Sequence, residues 1–353
     1  MGEQQMITRI RLVLLLARPA VIVLLMMFAA TGVAQTGLAA EPMNLVRVLV
    51  TVTAFLLFSV AWNDLADEAI DRVNLPGQRP LTAGVATRSE LVVIGLVSGA
   101  IALAVGTTLG WPVLVVTCAG LALSAGYSLR PVRLAERGAV ASMVLPACYV
   151  AVPYLIGLLT GGHRVTAGDL ALAGGLYLGF IGRILLKDFR DVRGDALFGK
   201  RTFLILHGRR VTCALSSGCF VAGSAALVAV VQHLTALLAA EEGILMAAVL
   251  VALRLLAAGP TPRREEALIS AIAILGRGMV LLVLAHLSMV SAQWPLLAYM
   301  AVLVLLGLGT LGQAARMVRL GPVTRLTVPD WVAAGSGSRA AAGTAEKSSA
   351  RLP

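Results

Sequence analysis

The stretch "LVTVTAFLLFSVAWNDLADEAID", Leu49 to Asp71, decides how this chain folds. Its first half closes an apolar run of the kind that crosses a bilayer, and its second half sets down Asn63, Asp64, Asp67, Glu68 and Asp71. Hydrocarbon offers backbone N–H and C=O groups no partner, so a segment immersed in it must be helical. If that helix continues into the polar part, Asn63, Asp67 and Asp71 fall at i, i+4 and i+8 on one face, with Asp64 and Glu68 on a neighbouring stripe. Pro76 and Gly77 then end it. One amide oxygen and two carboxylates are thus expected about one turn apart where a helix leaves the membrane.

The rest of the chain agrees. Of 353 residues, 58% are hydrophobic and 13% charged, against about 25% charged in soluble proteins, and mean hydropathy is +0.89. Apolar segments at 10–34, 43–63, 90–109, 111–130, 138–160, 167–187, 211–232, 243–258, 267–290 and 294–317 predict an all-α, polytopic membrane bundle. The eighth is short for a bilayer, which leaves nine or ten spans open. Barrel strands would alternate in polarity, and these runs do not. Residues 1–320 read as a single transmembrane domain and 321–353 as a small, polar, disordered tail. The first segment follows Arg9 and Arg11 and outruns a signal peptide, so it reads as a spanning helix.

A net charge of +11 would suit nucleic acid, but most Lys and Arg cluster in alternate loops and at the two ends. That is the positive-inside pattern of a multi-pass cell-membrane protein with both termini cytoplasmic, and no nucleic-acid partner is expected. The four cysteines lie in apolar runs without metal-ligand spacing.

A second acidic array, "LLKDFRDVRGDALFGKRTF", follows the sixth segment. Asp188, Asp191 and Asp195 share a helical face, and the last two repeat the spacing of Asn63 and Asp67. A lone carboxylate near a membrane is ordinarily a solvated loop charge. Two arrays on one side of the membrane, each closing a spanning helix, are more specific. Facing carboxylates repel unless cations lie between them, and oxygen ligands without His or Cys suit Mg²⁺ completed by substrate phosphates. Arg72 and Arg79 in the first loop, and Lys187, Arg190, Arg193, Lys200 and Arg201 in the second, suit those phosphates. Arg130 and Arg133 in "YSLRPVRLAERG" and the intramembrane Arg18 are further candidates. A phosphate clamp above an apolar chamber calls for an isoprenoid diphosphate.

These motifs resemble those of the UbiA superfamily of intramembrane prenyltransferases. "NDLADEAID" is similar to its NDxxDxxxD motif, "DFRDVRGD" to its second aspartate motif, "RPLTAG" to its RPLxSG run and "YSLRPVRLAERG" to its YSxPPxRxKxxG stretch. The likeness covers roughly residues 10 to 210; Arg130 and Ala135 depart from it, where Pro and Lys are common. It implies a bundle around a cavity open sideways to lipid and capped by cytoplasmic loops. It also implies that Asn63, Asp67, Asp191 and Asp195 hold Mg²⁺, expected as two ions, with Asp64, Asp71 and Asp188 in support. Asp67, Asp71, Asp191 and Asp195 are the expected catalytic carboxylates. The expected reaction is transfer of a prenyl group to an aromatic or lipid-like acceptor in the membrane. A terpene cyclase without a separate acceptor is the alternative within the superfamily, and a phosphoribosyl transferase or a cation carrier are more distant ones. Acceptor, chain length and oligomeric state stay open.

Overall fold

A computed structural model describes residues 12–36, 41–74, 77, 79–199, 201–231 and 233–321, without the side chains of Asp191 and Arg193. The predicted tail and Lys200 therefore lie outside the described residues, as do the Asp191 and Arg193 side chains.

The helices are α1 (Pro19–Gln35), α2 (Pro42–Ala66), α3 (Glu68–Asn74), α4 (Arg88–Thr107), α5 (Trp111–Ser128) and α6 (Ala139–Leu158). They continue as α7 (Ala167–Ile184), α8 (Asp188–Leu197), α9 (Phe203–Val230), α10 (Ala236–Ala257), α11 (Pro262–Ser291) and α12 (Leu296–Leu320). No strand occurs among the described residues, and nine of their helices are long and apolar enough to cross a membrane. The chain is a multi-pass membrane protein. Large apolar side chains such as Leu96, Val97, Leu297 and Leu305 face outward, as a lipid-facing wall requires.

Threonine opens several helices. Thr87 with Glu90, and Thr166 with Asp169, form reciprocal capping boxes at α4 and α7, while Thr202 and Thr235 cap α9 and α10. Each box satisfies two backbone or side-chain donors that the first helical turn leaves unpaired.

Two apolar clusters build the interior. One joins α2, α4, α5 and α6 to Leu25, Ala29 and Val33 of α1; the other joins α7 and α9–α12 to Leu24 and Phe28 of the same helix. α6 also enters the second cluster, through Val150, Tyr154 and Leu158, so α1 and α6 together form the seam. α1 meets α6 backbone to backbone, because a Cβ at Gly157 would strike the Ala29 carbonyl. Such close approach is how membrane helices gain packing energy when lipid is as apolar as leucine. A buried Ser124–Ser59 hydrogen bond of 2.7 Å ties α5 to α2.

Several sequence expectations change. The first acidic helix is not continuous: α2 ends at Ala66, and Asp67 (φ −100°, ψ 11°) turns the chain before α3. The first segment is interrupted at Arg18, whose backbone is left-handed (φ 47°). A residue before proline avoids the helical region, and Pro19 then starts α1. α9 begins at Phe203, earlier than hydropathy implies. The eighth segment is not short, because α10 runs for 22 residues. Glu241 and Glu242 fall between the seventh and eighth apolar segments of the sequence but lie inside α10, buried, with Glu241 lodged against Gly307 of α12.

Candidate active site between two acidic helices

The short helices α3 and α8, which carry much of the two acidic arrays, pack against each other. Their contact closes one side of a cavity of about 490 Å³. Asn63, Asp67 and Asp71 enter it from the first array, Lys187 and Asp195 from the second, and Arg18 and Arg79 from the flanks. Residues more than a hundred positions apart thus share one space.

The first array is held from several sides. Asn63 Nδ2 donates to Asp67 Oδ2 at 3.1 Å, and Arg133 Nη2 donates to Asp67 Oδ1 at 3.2 Å and to the Ala66 carbonyl at 3.3 Å. Arg18 pairs with Asp64 at 2.5 Å, so Asp64 anchors α1 to α2 and does not line the cavity. Arg18 and Arg133 are two of the four non-glycine residues with positive φ among those described. Each such conformation costs of order 1–3 kcal/mol and persists only where its surroundings impose it. Here both serve to bring a guanidinium to the first array.

Asp71 is a strongly perturbed carboxyl. Burial pushes its pKa up to about 6; Arg79 opposes the shift, while Asp64 and Asp67 add to it. Arg79 Nε stands 3.5 Å from Asp71 Oδ2, and both atoms are buried without a hydrogen bond. Glu68 turns away. Arg72 at 2.7 Å and Arg88 at 2.6 Å hold its carboxyl below the usual range.

The remaining candidates divide. Asp188 lines an adjoining pocket with Tyr127, Arg201 and Thr202, which shares Lys187 and Asp195 with the main cavity. Arg72 is engaged by Glu68, and Arg130 is exposed; neither lines the cavity. Sequence reasoning missed Asn74, Tyr149 and Glu266, which do. The signal for Tyr149 was Pro146 inside an apolar segment. It is followed by a π-helical turn, Ala147–Ala151, a feature that often marks functional sites. The turn stacks Tyr149 on Phe180, with ring centroids 5.9 Å apart.

No three His, Cys, Asp or Glu side chains among the described residues gather closely enough to hold a metal unaided. The donors are nevertheless all hard oxygens, and Asp71 keeps a buried oxygen without a hydrogen bond. That set fits Mg²⁺, which takes one or two carboxylates and draws the rest of its shell from water and phosphate.

The model of the UbiA prenyltransferase family matches residues 20–273. The chain belongs to that family. Its fold is that of solved UbiA proteins: a digeranylgeranylglyceryl phosphate synthase superposes over 79% of this chain and 98% of its own, with a TM-score of 0.61 at 16% identity. A UbiA homologue from Archaeoglobus fulgidus, bound to GPP and Mg²⁺, superposes over 78% and 99%, with a TM-score of 0.58 at 17% identity. In sequence, a digeranylgeranylglyceryl phosphate synthase from Pyrococcus abyssi is 33% identical over 155 residues, 44% of this chain and 53% of that protein. The bacteriochlorophyll synthase 34 kDa chain of Chloroflexus aurantiacus is 27% identical over 151 residues, 42% and 47%. The chain spans about half the length of these curated relatives. Within this UbiA fold, the acidic cavity is the feature with chemistry to perform.

Proposed function

We propose that this chain transfers a prenyl group from an isoprenoid diphosphate to a hydrophobic acceptor within the membrane. The observation that carries the reading is the packing of α3 on α8, which turns two acidic arrays into one polar cavity with apolar walls such as Ile70, Leu145 and Ile269. The names of the related synthases and the GPP and Mg²⁺ bound by the Archaeoglobus homologue support it.

Asn63, Asp67, Asp71 and Asp195 would hold Mg²⁺, with Asp191 and Asp188 of the second array in support. The ion, when bound, supplies the charge neutralisation that makes a diphosphate a good leaving group. Arg18, Arg79 and Lys187 reach the diphosphate oxygens directly, and Arg133 fixes Asp67. The allylic C–O bond breaks with its electron pair going to the diphosphate. Tyr149, which lines the cavity, offers an aromatic ring to the allylic cation so formed. The acceptor's nucleophile bonds to that carbon and loses a proton, while the apolar walls exclude water. The charge pattern of the loops supports a cytoplasmic side for this site and both termini.

The test is labelled geranylgeranyl diphosphate supplied to the chain in nanodiscs, with and without a panel of phenols and lipid alcohols. Pyrophosphate release should require divalent metal and an acceptor, and Asp67→Ala or Asp191→Ala should abolish it while membrane insertion persists. Full turnover in excess EDTA refutes the proposal. A cyclised product formed without acceptor assigns the chain to terpene cyclisation instead.

A further inference from the structure

Two arginines tie together the ends of α9, α10, α11 and α12 on the side of the bundle that holds the acidic cavity. Glu266, near the start of α11, lines that cavity. Next to it, Arg209 of α9 pairs with Glu265 at 2.6 Å and donates to the Leu256 carbonyl of α10 at 3.2 Å. Arg263 of α11 donates to the Leu320 carbonyl of α12 at 3.3 Å. Carbonyls at the closing ends of α10 and α12 thus take donors from neighbouring helices. The arginines in their own last turns, Arg254 and Arg319, are not engaged there.

Arg210, Arg254, Arg264, Arg316 and Arg319 remain at these ends. All are exposed, and none meets a carboxylate among the described residues. Around the first acidic array the opposite holds: Glu68 takes Arg72 and Arg88, Asp71 faces Arg79 and Asp67 takes Arg133. Positive charge in a connecting loop is explained by topology alone, but Arg254, Arg316 and Arg319 stand within helices. On α12, the exposed Leu305, Leu308, Gly312, Arg316 and Arg319 follow one another at steps of three and four, which makes one outward stripe. On α10, the exposed Val251 leads to Arg254 and Leu255 in the same way. Each stripe changes from aliphatic to guanidinium near the end of its helix, as a bilayer changes there from acyl chain to headgroup phosphate. Like charges gathered without counter-charge draw an anion to their side.

We infer that this arginine rim is a docking surface for anionic phospholipid. The acyl chains lie along the aliphatic stripes of α10 and α12, and the phosphate accepts paired, charge-assisted hydrogen bonds from the guanidinium groups above them. A zwitterionic headgroup sets its own cation against the arginines and is the poorer occupant. A soluble anion leaves the aliphatic half of each stripe without a role. The surface stands apart from the acidic cavity and does not depend on the prenyl-transfer reading.

The test is native mass spectrometry of the full chain in detergent micelles with equal amounts of phosphatidylglycerol and phosphatidylcholine. The parent should retain phosphatidylglycerol at least about fivefold over phosphatidylcholine, with or without excess inorganic phosphate. Arg254→Gln, Arg316→Gln and Arg319→Gln together should remove that preference without lowering the melting temperature, and lysine at the same three positions should keep most of it. Arg47→Gln with Arg164→Gln removes two exposed arginines remote from the rim, ahead of the cavity-lining ends of α2 and α7, and should leave the preference intact. Equal retention of the two lipids by the parent, a preference that survives the triple glutamine variant, or an equal loss in the Arg47 and Arg164 variant overturns the inference. Displacement of phosphatidylglycerol by inorganic phosphate assigns the rim to a free anion and overturns it as well.

Discussion

Replacing Arg18 separates two contributions that this residue makes at once. Its guanidinium neutralises Asp64, whose side chain is 1% exposed, and whose Oδ2 already lacks a hydrogen bond. Removing one member of a buried pair costs about 3–5 kcal/mol, because the other charge stays buried. With the Arg18 side chain 23% exposed, the low end applies, so Arg18→Ala should lose about 3 kcal/mol. Alanine also keeps the burden of the left-handed backbone (φ 47°), about 1–2 kcal/mol for a residue with a Cβ. Glycine sheds it, and Arg18→Gly should lose only about 1–2 kcal/mol. Adding Asp64→Asn to Arg18→Ala should recover most of the loss, for a coupling energy above about 2 kcal/mol. Reversible unfolding in mixed detergent and SDS micelles, followed by tryptophan fluorescence, measures all of these. Equal losses for Ala and Gly would show that Arg18 bears no strain, and a coupling below about 0.5 kcal/mol would show that it does not neutralise Asp64.

Metal affinity should depend on pH through Asp71. Its raised pKa of about 6 means that it holds a proton at pH values where an ordinary carboxyl has lost it, and a metal must displace that proton. Mn²⁺ binding, read by electron paramagnetic resonance, should be flat well above pH 6 and weaken as pH falls through it, and Asp71→Asn should remove the dependence around that pH. Glu242→Met should stabilise the bundle by about 1–3 kcal/mol, since both Glu242 oxygens are buried without a hydrogen bond; a loss in micelle unfolding would count against that. Gly157→Ala drives a methyl into the Ala29 carbonyl and should cost about 1–3 kcal/mol by the same assay. Arg133→Gln, which removes the hydrogen bond to Asp67 Oδ1, should raise the metal requirement of turnover more than it lowers stability; an unchanged metal titration would refute the positioning role.

Hydropathy and charge made the helical bundle legible, because crossing hydrocarbon forces regular backbone whatever the tertiary contacts. The two acidic arrays were legible for a different reason: carboxylates are scarce in this chain, so their spacing stands out. What stayed hidden was decided by packing. Nothing local in "TALLAAEEGIL" says that a glycine eleven residues into α12 makes room for Glu241, so the sequence reads as a loop where the structure continues a helix. The break at Asp67 is likewise a tertiary matter, with Arg133 gripping both Asp67 and the last carbonyl of α2. The clue to Tyr149 was present in Pro146, but proline announces an irregular turn without saying which side chain it will aim.

The interruption before Pro19 also has an electrical consequence. A helix that ran unbroken through the bilayer would keep its dipole ends at the two water interfaces. Because α1 starts afresh at Pro19, and Arg18 and Val21 border the acidic cavity, its positive pole, worth roughly half an elementary charge, is delivered inside the protein wall. A fixed field of that kind needs no side chain to swing into place, does not titrate, and stays on between turnovers. It favours whatever carries the most negative charge in the chamber, which in the proposed reaction is the leaving group as it departs.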